Sequence, residues 1–167
     1  MADDPGKAAV EAWVERTLGA DGNVVRVPHL STARYGFYVV SQPRLAAGET
    51  YAMSDGDEVL PAGRESLARV LEREGVRDDP GALPAAQLAE LYVRMVDGRR
   101  LRVLEDASDF ALEDVSAEGF TPPAARSVED GVAIEFWTTG PEPSRVERWN
   151  VRVAPGGTIT DEHETVS

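Results

Sequence analysis

Apolar residues near the start of the chain recur with the period of an α-helix. Residues at i, i+3, i+4 and i+7 form one stripe, made of Val10, Trp13, Val14 and Thr17. Asp4 can cap such a helix, Pro5 suits its first turn, and Gly19 follows its last turn. The pattern predicts a first helix that packs this stripe against a core.

The pattern then changes to that of β-strands. NVVRV (23–27) and RYGFYVVSQ (34–42) are rich in β-branched and aromatic residues, which favour strands. ETYAMSDGDEVL (49–60) predicts a tight hairpin, because Asp55 and Gly56 suit a turn that needs positive φ angles.

Two further helical patterns occupy the middle of the chain. The first ends at Gly75 and the second at Gly98, where glycine can end a helix. Their apolar stripes are Leu67, Val70 and Leu71, and then Leu88, Leu91, Tyr92 and Met95. RRLRVLED (99–106) predicts a short strand after them.

Residues 107–128 show neither period. Apolar side chains interrupt an acidic, proline-containing stretch at Phe110, Leu112, Val115 and Phe120. We expect an irregular segment that docks these side chains on the body and presents exposed carboxylates. Exposed carboxylates contribute little to stability, so reversing the charges of Asp109, Glu113 and Asp114 is expected to leave the melting temperature almost unchanged.

Alternation returns in three C-terminal stretches, at 131–139, 145–153 and about 158–166. The first two share an apolar face: Val132, Ile134 and Phe136 on one strand, Trp149, Val151 and Val153 on the other. A register in which Ile134 faces Trp149 and Glu135 faces Arg148 would make this face continuous.

Taken together, these patterns predict an α+β fold in a single domain over residues 1–167. We expect an antiparallel sheet with a C-terminal β-meander, packed against about three helices that cover one face.

Charge narrows the range of partners. The formal net charge is −13, and residues 106–144 carry nine acidic residues against one base, Arg126. Such a field repels phosphates, so we expect no nucleic acid and no membrane as partner, and it favours a basic protein. No apolar run reaches the length of a membrane span, and the acidic start differs from a secretory signal, so a cytoplasmic protein is expected.

Few reactive groups are present. The chain has no cysteine, and nothing in the sequence places its two histidines, His29 and His163, together as metal ligands. Neither a phosphate-binding glycine loop nor a G-x-S-x-G nucleophile elbow occurs. We therefore expect no metal site and no cofactor, and the sequence favours binding over catalysis while leaving enzymatic activity open.

The leading hypothesis is a non-catalytic acidic binding protein, such as an adaptor, inhibitor or immunity-type protein, that engages a basic protein partner. Its predicted partner-binding residues are Asp109, Glu113, Asp114 and Trp137. Two placements of Trp137 stay open: beneath the 107–128 segment, or exposed as an apolar contact for the partner.

The alternative is a small-molecule-binding domain, or a general acid–base enzyme, with a pocket in a curved sheet. His29, Arg34, Tyr35 and Tyr38 lie close in sequence and could line it. Arg34 and Tyr38 are expected on one face of their strand, and a ligand would contact both. Tyr35 could equally be a core residue.

Overall fold

The computed structural model describes most of the chain, namely residues 3–19, 22–42, 48–97, 101–112, 118–140 and 145–166, without side chains at 110–112. Within these ranges it contains three α-helices and nine strands in two antiparallel sheets. The expected α+β fold with a C-terminal meander is confirmed.

The first half of the chain forms a four-stranded sheet in the order β1-β2-β3-β4. Its strands are β1 (Asn23–Arg26), β2 (Gly36–Ser41), β3 (Glu49–Ser54) and β4 (Val59–Pro61). The predicted hairpin between β3 and β4 is present, with Gly56 at φ 101° in its turn.

Helix α1 (Pro5–Thr17) covers one face of this sheet. Asp4 accepts a hydrogen bond from the backbone N–H of Lys7 at 3.0 Å, so it caps the helix as predicted. Val10 and Val14 are buried against the sheet, and Thr17 is exposed.

The other face of the same sheet packs on a layer of helices. This layer consists of α2 (Arg64–Arg73), α3 (Ala85–Tyr92) and a π-helical turn, Val93–Asp97, that continues α3. Its predicted apolar stripes are buried. The same core includes the second sheet, so α2 and α3 lie between two sheets. The expectation of one sheet covered on one face is too simple.

The second sheet has five strands in the order β5-β7-β8-β9, with β6 pairing on the same side of β7 as β5. The strands are β5 (Arg102–Leu104), β6 (Ala124–Val128), β7 (Gly131–Thr139), β8 (Val146–Val153) and β9 (Ile159–Val166). The last three form the predicted meander.

The predicted faces of the β7–β8 hairpin are right, but its register is wrong by two residues. Trp149 lies opposite Phe136, and Ile134 lies opposite Val151. Glu135 faces Asn150 instead of the predicted Arg148. A shift of two keeps every side chain on its face, so alternation alone could not distinguish these registers.

The 107–128 segment is less irregular than predicted. It begins as a 3₁₀ helix, Ala107–Leu112, and its end, Ala124–Val128, is strand β6. Most of β6 is exposed, so its sequence lacks apolar alternation. Phe120 packs on the sheet as expected, whereas Val115 and the side chains of Phe110 and Leu112 lie outside the described residues.

Candidate functional site

Trp137 lies on the outer face of the five-stranded sheet, the face turned away from the helices. There it forms a small apolar cluster with Leu104 and Val146. Phe120 meets its ring edge-on, with centroids 5.6 Å apart and planes at 79°. Only 3% of Trp137 is exposed. It therefore lies beneath the segment that contains Phe120 and is not an exposed contact for a partner.

A groove of about 400 Å³ runs beside this cluster, and we call it the outer groove. Trp137 forms part of its wall. Its polar lining is Thr121, Glu135, Arg148, Asn150, Glu162, His163 and Glu164. Three carboxylates against one arginine make this lining acidic.

Strand register aligns the polar residues of the groove in two rows. Glu135, Asn150 and Glu162 are direct cross-strand neighbours on β7, β8 and β9. Trp137, Arg148 and Glu164 form the adjacent row. Neighbouring strands are about 4.8 Å apart, so three oxygen-bearing side chains stand side by side next to an indole ring.

Two acceptors in the first row, Asn150 and Glu162, have no hydrogen-bond donor or opposite charge paired with them among the described residues. Asn150 Oδ1 is buried, and no donor among the described residues lies within hydrogen-bond distance of it. Glu162 is exposed and makes no ion pair with a described residue, whereas Glu135 pairs with Arg126 at 3.2 Å. A buried acceptor without a partner is uncommon in proteins, so this row is suited to receiving a donor.

Of the acidic residues predicted to bind a partner, the structure describes Asp109, and its carboxylate is engaged within the chain. Asp109 accepts hydrogen bonds from the backbone N–H groups of Glu105 at 2.8 Å and Asp106 at 3.1 Å. It also pairs with Arg102 at 2.7 Å. Asp109 therefore holds the turn that follows β5. Glu113 and Asp114 lie outside the described residues.

The two tyrosines of the predicted ligand pocket are buried on opposite faces of the four-stranded sheet. Tyr35 contacts the central core and donates to Glu58 at 3.0 Å. Tyr38 lies under α1 and donates to Asp4 at 2.7 Å. Burial, together with the Asp4 carboxylate, raises the pKa of Tyr38 to about 12. The two hydroxyl groups do not share a pocket.

The other two members of that predicted group are exposed. The His29 side chain is 69% exposed, and its Nε2 lies 3.4 Å from Glu90 Oε2. Arg34 precedes β2, and its backbone N–H donates to Glu74 at 3.1 Å. Arg34 lies before β2 and Tyr38 within it beneath α1, so the two do not share a strand face, and the four residues are not brought together around one cavity.

Sequence reasoning missed Asn150 and Glu162. Glu162 was visible only as one charge in an acidic last strand, TDEHET (160–165), where such charges are typical of edge protection. The alignment of both residues with Glu135 depends on the pairing of three strands, which no local pattern specifies.

Within the described ranges, no group of three histidine or acidic side chains could hold a metal ion. No helix there has the length and apolarity needed to span a bilayer.

Comparison of the chain with protein-family models, curated proteins and solved structures finds no significant match.

Proposed function

We propose that this protein is a non-catalytic binding protein whose outer groove receives an arginine or lysine side chain of a basic protein partner. The observation that carries the proposal is the row of acceptors Glu135, Asn150 and Glu162 beside Trp137. The buried Asn150 Oδ1 has no donor among the described residues.

A guanidinium group matches this row chemically. It carries five N–H donors in one plane, and hydrogen bonds from a cation to a carboxylate are stronger than neutral ones. The groove offers such a carboxylate in Glu162, which pairs with no described base. Trp137 contributes to the wall, although only 3% of that residue is exposed.

Arg148 does not fill this site, because it is engaged elsewhere. Its Nη2 contacts Glu164 in the adjacent row, which leaves the row of Glu135, Asn150 and Glu162 to an incoming donor. The net charge of −13 adds long-range attraction for a basic partner.

This proposal keeps the class of partner expected from the sequence and moves the binding surface. Asp109 stabilises the turn after β5, and the proposed contact with the partner lies on strands β7, β8 and β9. An adaptor, an inhibitor and an immunity-type protein would all fit it, and a cytoplasmic location stays a prediction.

A titration with blocked amino acids tests the proposal. N-acetyl-arginine amide is added to the ¹⁵N-labelled protein, and N-acetyl-citrulline amide serves as the neutral control of the same shape. We expect the arginine probe, and not the citrulline probe, to shift the Trp137 indole and Asn150 side-chain amide resonances.

Matched variants assign the effect to the groove. Glu162→Gln should lower the affinity for the arginine probe about fivefold or more, because a charge-assisted hydrogen bond is lost. Glu15→Gln removes an equivalent exposed charge from α1 and should change nothing. Equal shifts from the two probes, or equal affinity in Glu162→Gln and wild type, would overturn the proposal.

A further inference from the structure

A second concave region lies where the two sheets approach each other. It is a cleft of about 600 Å³, lined by Glu49 at the start of β3, Glu90 of α3, Arg94 of the π-helical turn, and β5. A smaller pocket of about 150 Å³ shares Glu49 and Arg94 with it. Its apolar walls are Val27, Leu30, Phe37 and Val39. Together they have the size of a small-ligand site.

The π-helical turn positions Arg94 in this cleft. Val93 and Met95 on either side are buried, while Arg94 is half-buried and faces the cleft. Its guanidinium lies over the ring of Tyr51, 5.7 Å from the centroid. Within the described residues it makes one hydrogen bond, to the Tyr51 hydroxyl at 3.1 Å, and no ion pair. π-helical turns within or at the end of α-helices occur frequently at functional sites.

The Tyr51 hydroxyl also holds the carboxylate of Glu49 near the Arg94 guanidinium. Burial raises the pKa of the Tyr51 hydroxyl, so it keeps its proton at neutral pH and donates to Glu49 Oε1 at 2.9 Å. It accepts from Arg94 at the same time. One hydroxyl therefore holds a carboxylate and a guanidinium close together, although they form no ion pair with each other.

This pair is complementary to the two charges of an amino acid. We propose that the cleft binds a free α-amino acid with an apolar side chain. Its carboxylate would face Arg94, its ammonium group would face Glu49, and its side chain would enter the smaller pocket. The smaller pocket has a volume of about 150 Å³, which corresponds to about five water molecules. This space suits a side chain of the size of leucine.

The charges around the cleft disfavour a simple anion. Among the described residues, Glu49, Glu90 and Glu105 line it together with Arg94 and Arg102, so a phosphate or a dicarboxylate would meet more like charges than opposite ones there. A zwitterion carries no net charge and satisfies both signs, and burying either charge without a partner would be unfavourable.

Calorimetric titration of the whole protein with a small set of ligands tests this site. We expect saturable binding of L-leucine. N-acetyl-L-leucine lacks the ammonium charge and L-leucinamide lacks the carboxylate, so each should bind about tenfold more weakly or worse. L-alanine, which leaves the apolar pocket unfilled, should also bind more weakly.

Two variants separate the two charged contacts. Arg94→Gln should remove the preference for leucine over leucinamide, and Glu49→Gln should remove the preference for leucine over N-acetyl-leucine. Arg16→Gln on α1 is the control and should keep both preferences. If a charge variant fails to fold, Tyr51→Phe replaces it, because this change removes only the shared hydroxyl. Tyr51→Phe should weaken the binding of leucine, and unchanged leucine affinity in this variant would overturn the proposal. Absence of leucine binding, or equal binding of all three compounds, would overturn it.

Discussion

Phe136 and Trp149 lie directly opposite each other on β7 and β8, with ring centroids 5.9 Å apart and planes only 5° from parallel. Trp149 also stacks on His163 of β9 at 4.3 Å, and its indole N–H donates to Thr138 at 2.9 Å. Tyr92 of α3 meets its edge at 6.0 Å. This one indole therefore joins three strands to the helical layer.

Trp149→Ala should accordingly destabilise the fold by roughly 3–5 kcal/mol, the usual range for truncating a buried aromatic side chain. Denaturant unfolding measures this free energy directly. Val25→Ala is the control: Val25 is 50% exposed, and its truncation should cost less than about 0.5 kcal/mol. Near-equal unfolding midpoints for Trp149→Ala and wild type would show that the indole does not hold these elements together.

Asp161 of β9 connects the sheet edge to two helices. It accepts hydrogen bonds from the Tyr92 hydroxyl of α3 and from Arg64 Nη2 of α2, the latter at 2.5 Å. Removing the charge in Asp161→Asn should cost about 1–3 kcal/mol, because two donors lose a charged acceptor. Unfolding of Glu162→Gln, on the next position of the same strand, should remain close to wild type.

The effect of Asp161 should depend on pH. Burial alone would raise the pKa of this carboxyl, but the hydrogen bonds from Tyr92 and Arg64 and the charge of Arg64 outweigh it, so the pKa is lowered overall. A lowered pKa in the folded state means stability that is present above the ordinary value of 3.8 and is lost as the pH falls through the folded value. The stability difference between wild type and Asp161→Asn should therefore shrink in acid, and a constant difference down to about pH 2 would contradict the assignment.

The contribution of Tyr38 to stability should depend on pH in the opposite sense, with its loss in alkali. Its pKa rises from 10.0 to about 12, first through burial and then through its hydrogen bond to Asp4. A raised pKa means that the contribution is complete below pH 10.0 and is lost as the pH rises through the folded value of about 12. Tyr38→Phe should thus be less stable than wild type by about 1 kcal/mol at neutral pH, and the difference should vanish in strong alkali. Urea unfolding across this range measures it, and a parallel pH dependence of the two proteins would show that Tyr38 is not responsible.

Asp109 is expected to matter for stability and not for partner binding. Its carboxylate accepts two backbone N–H groups and pairs with Arg102, so Asp109→Lys should destabilise by about 1–2 kcal/mol, as loss of a capping side chain does. Glu105→Gln removes a neighbouring exposed charge and should leave the melting temperature near wild type. An unchanged melting temperature for Asp109→Lys would restore the simpler prediction of a solvated carboxylate.

Local periodicity accounts for how much of the fold could be predicted. Stripes such as Val10 and Val14, or Leu67 and Leu71, define a buried face from sequence spacing alone, and these faces are buried. β6 could not be recognised in the same way, because an exposed edge strand needs no apolar alternation. The π-helical turn was also hidden, since the stripe that ends in Met95 fits an α-helix.

The candidate sites required information that no local pattern contains. Asn150 meets Glu162 only through the pairing of β8 with β9, and Arg94 meets Glu49 only through the packing of the helical layer on β3. Conversely, Tyr35 and Tyr38 are close in sequence, although Tyr35 precedes β2 and packs in the central core, whereas Tyr38 lies on β2 beneath α1. Proximity in sequence was therefore misleading where tertiary contacts decide.

Ionic strength should distinguish the two proposed sites. Glu162 in the outer groove is exposed, and salt screens exposed charges over a Debye length of about 10 Å at 0.1 M. The affinity for N-acetyl-arginine amide should therefore fall severalfold when salt rises from about 0.02 M to 0.5 M. Leucine carries no net charge and would contact the half-buried Arg94, so its affinity should change much less. Both titrations are run on the same protein sample, with Glu15→Gln as the charge control. If the two affinities fall in parallel, both probes are held by exposed charge alone, and the cleft has no selectivity of the kind proposed.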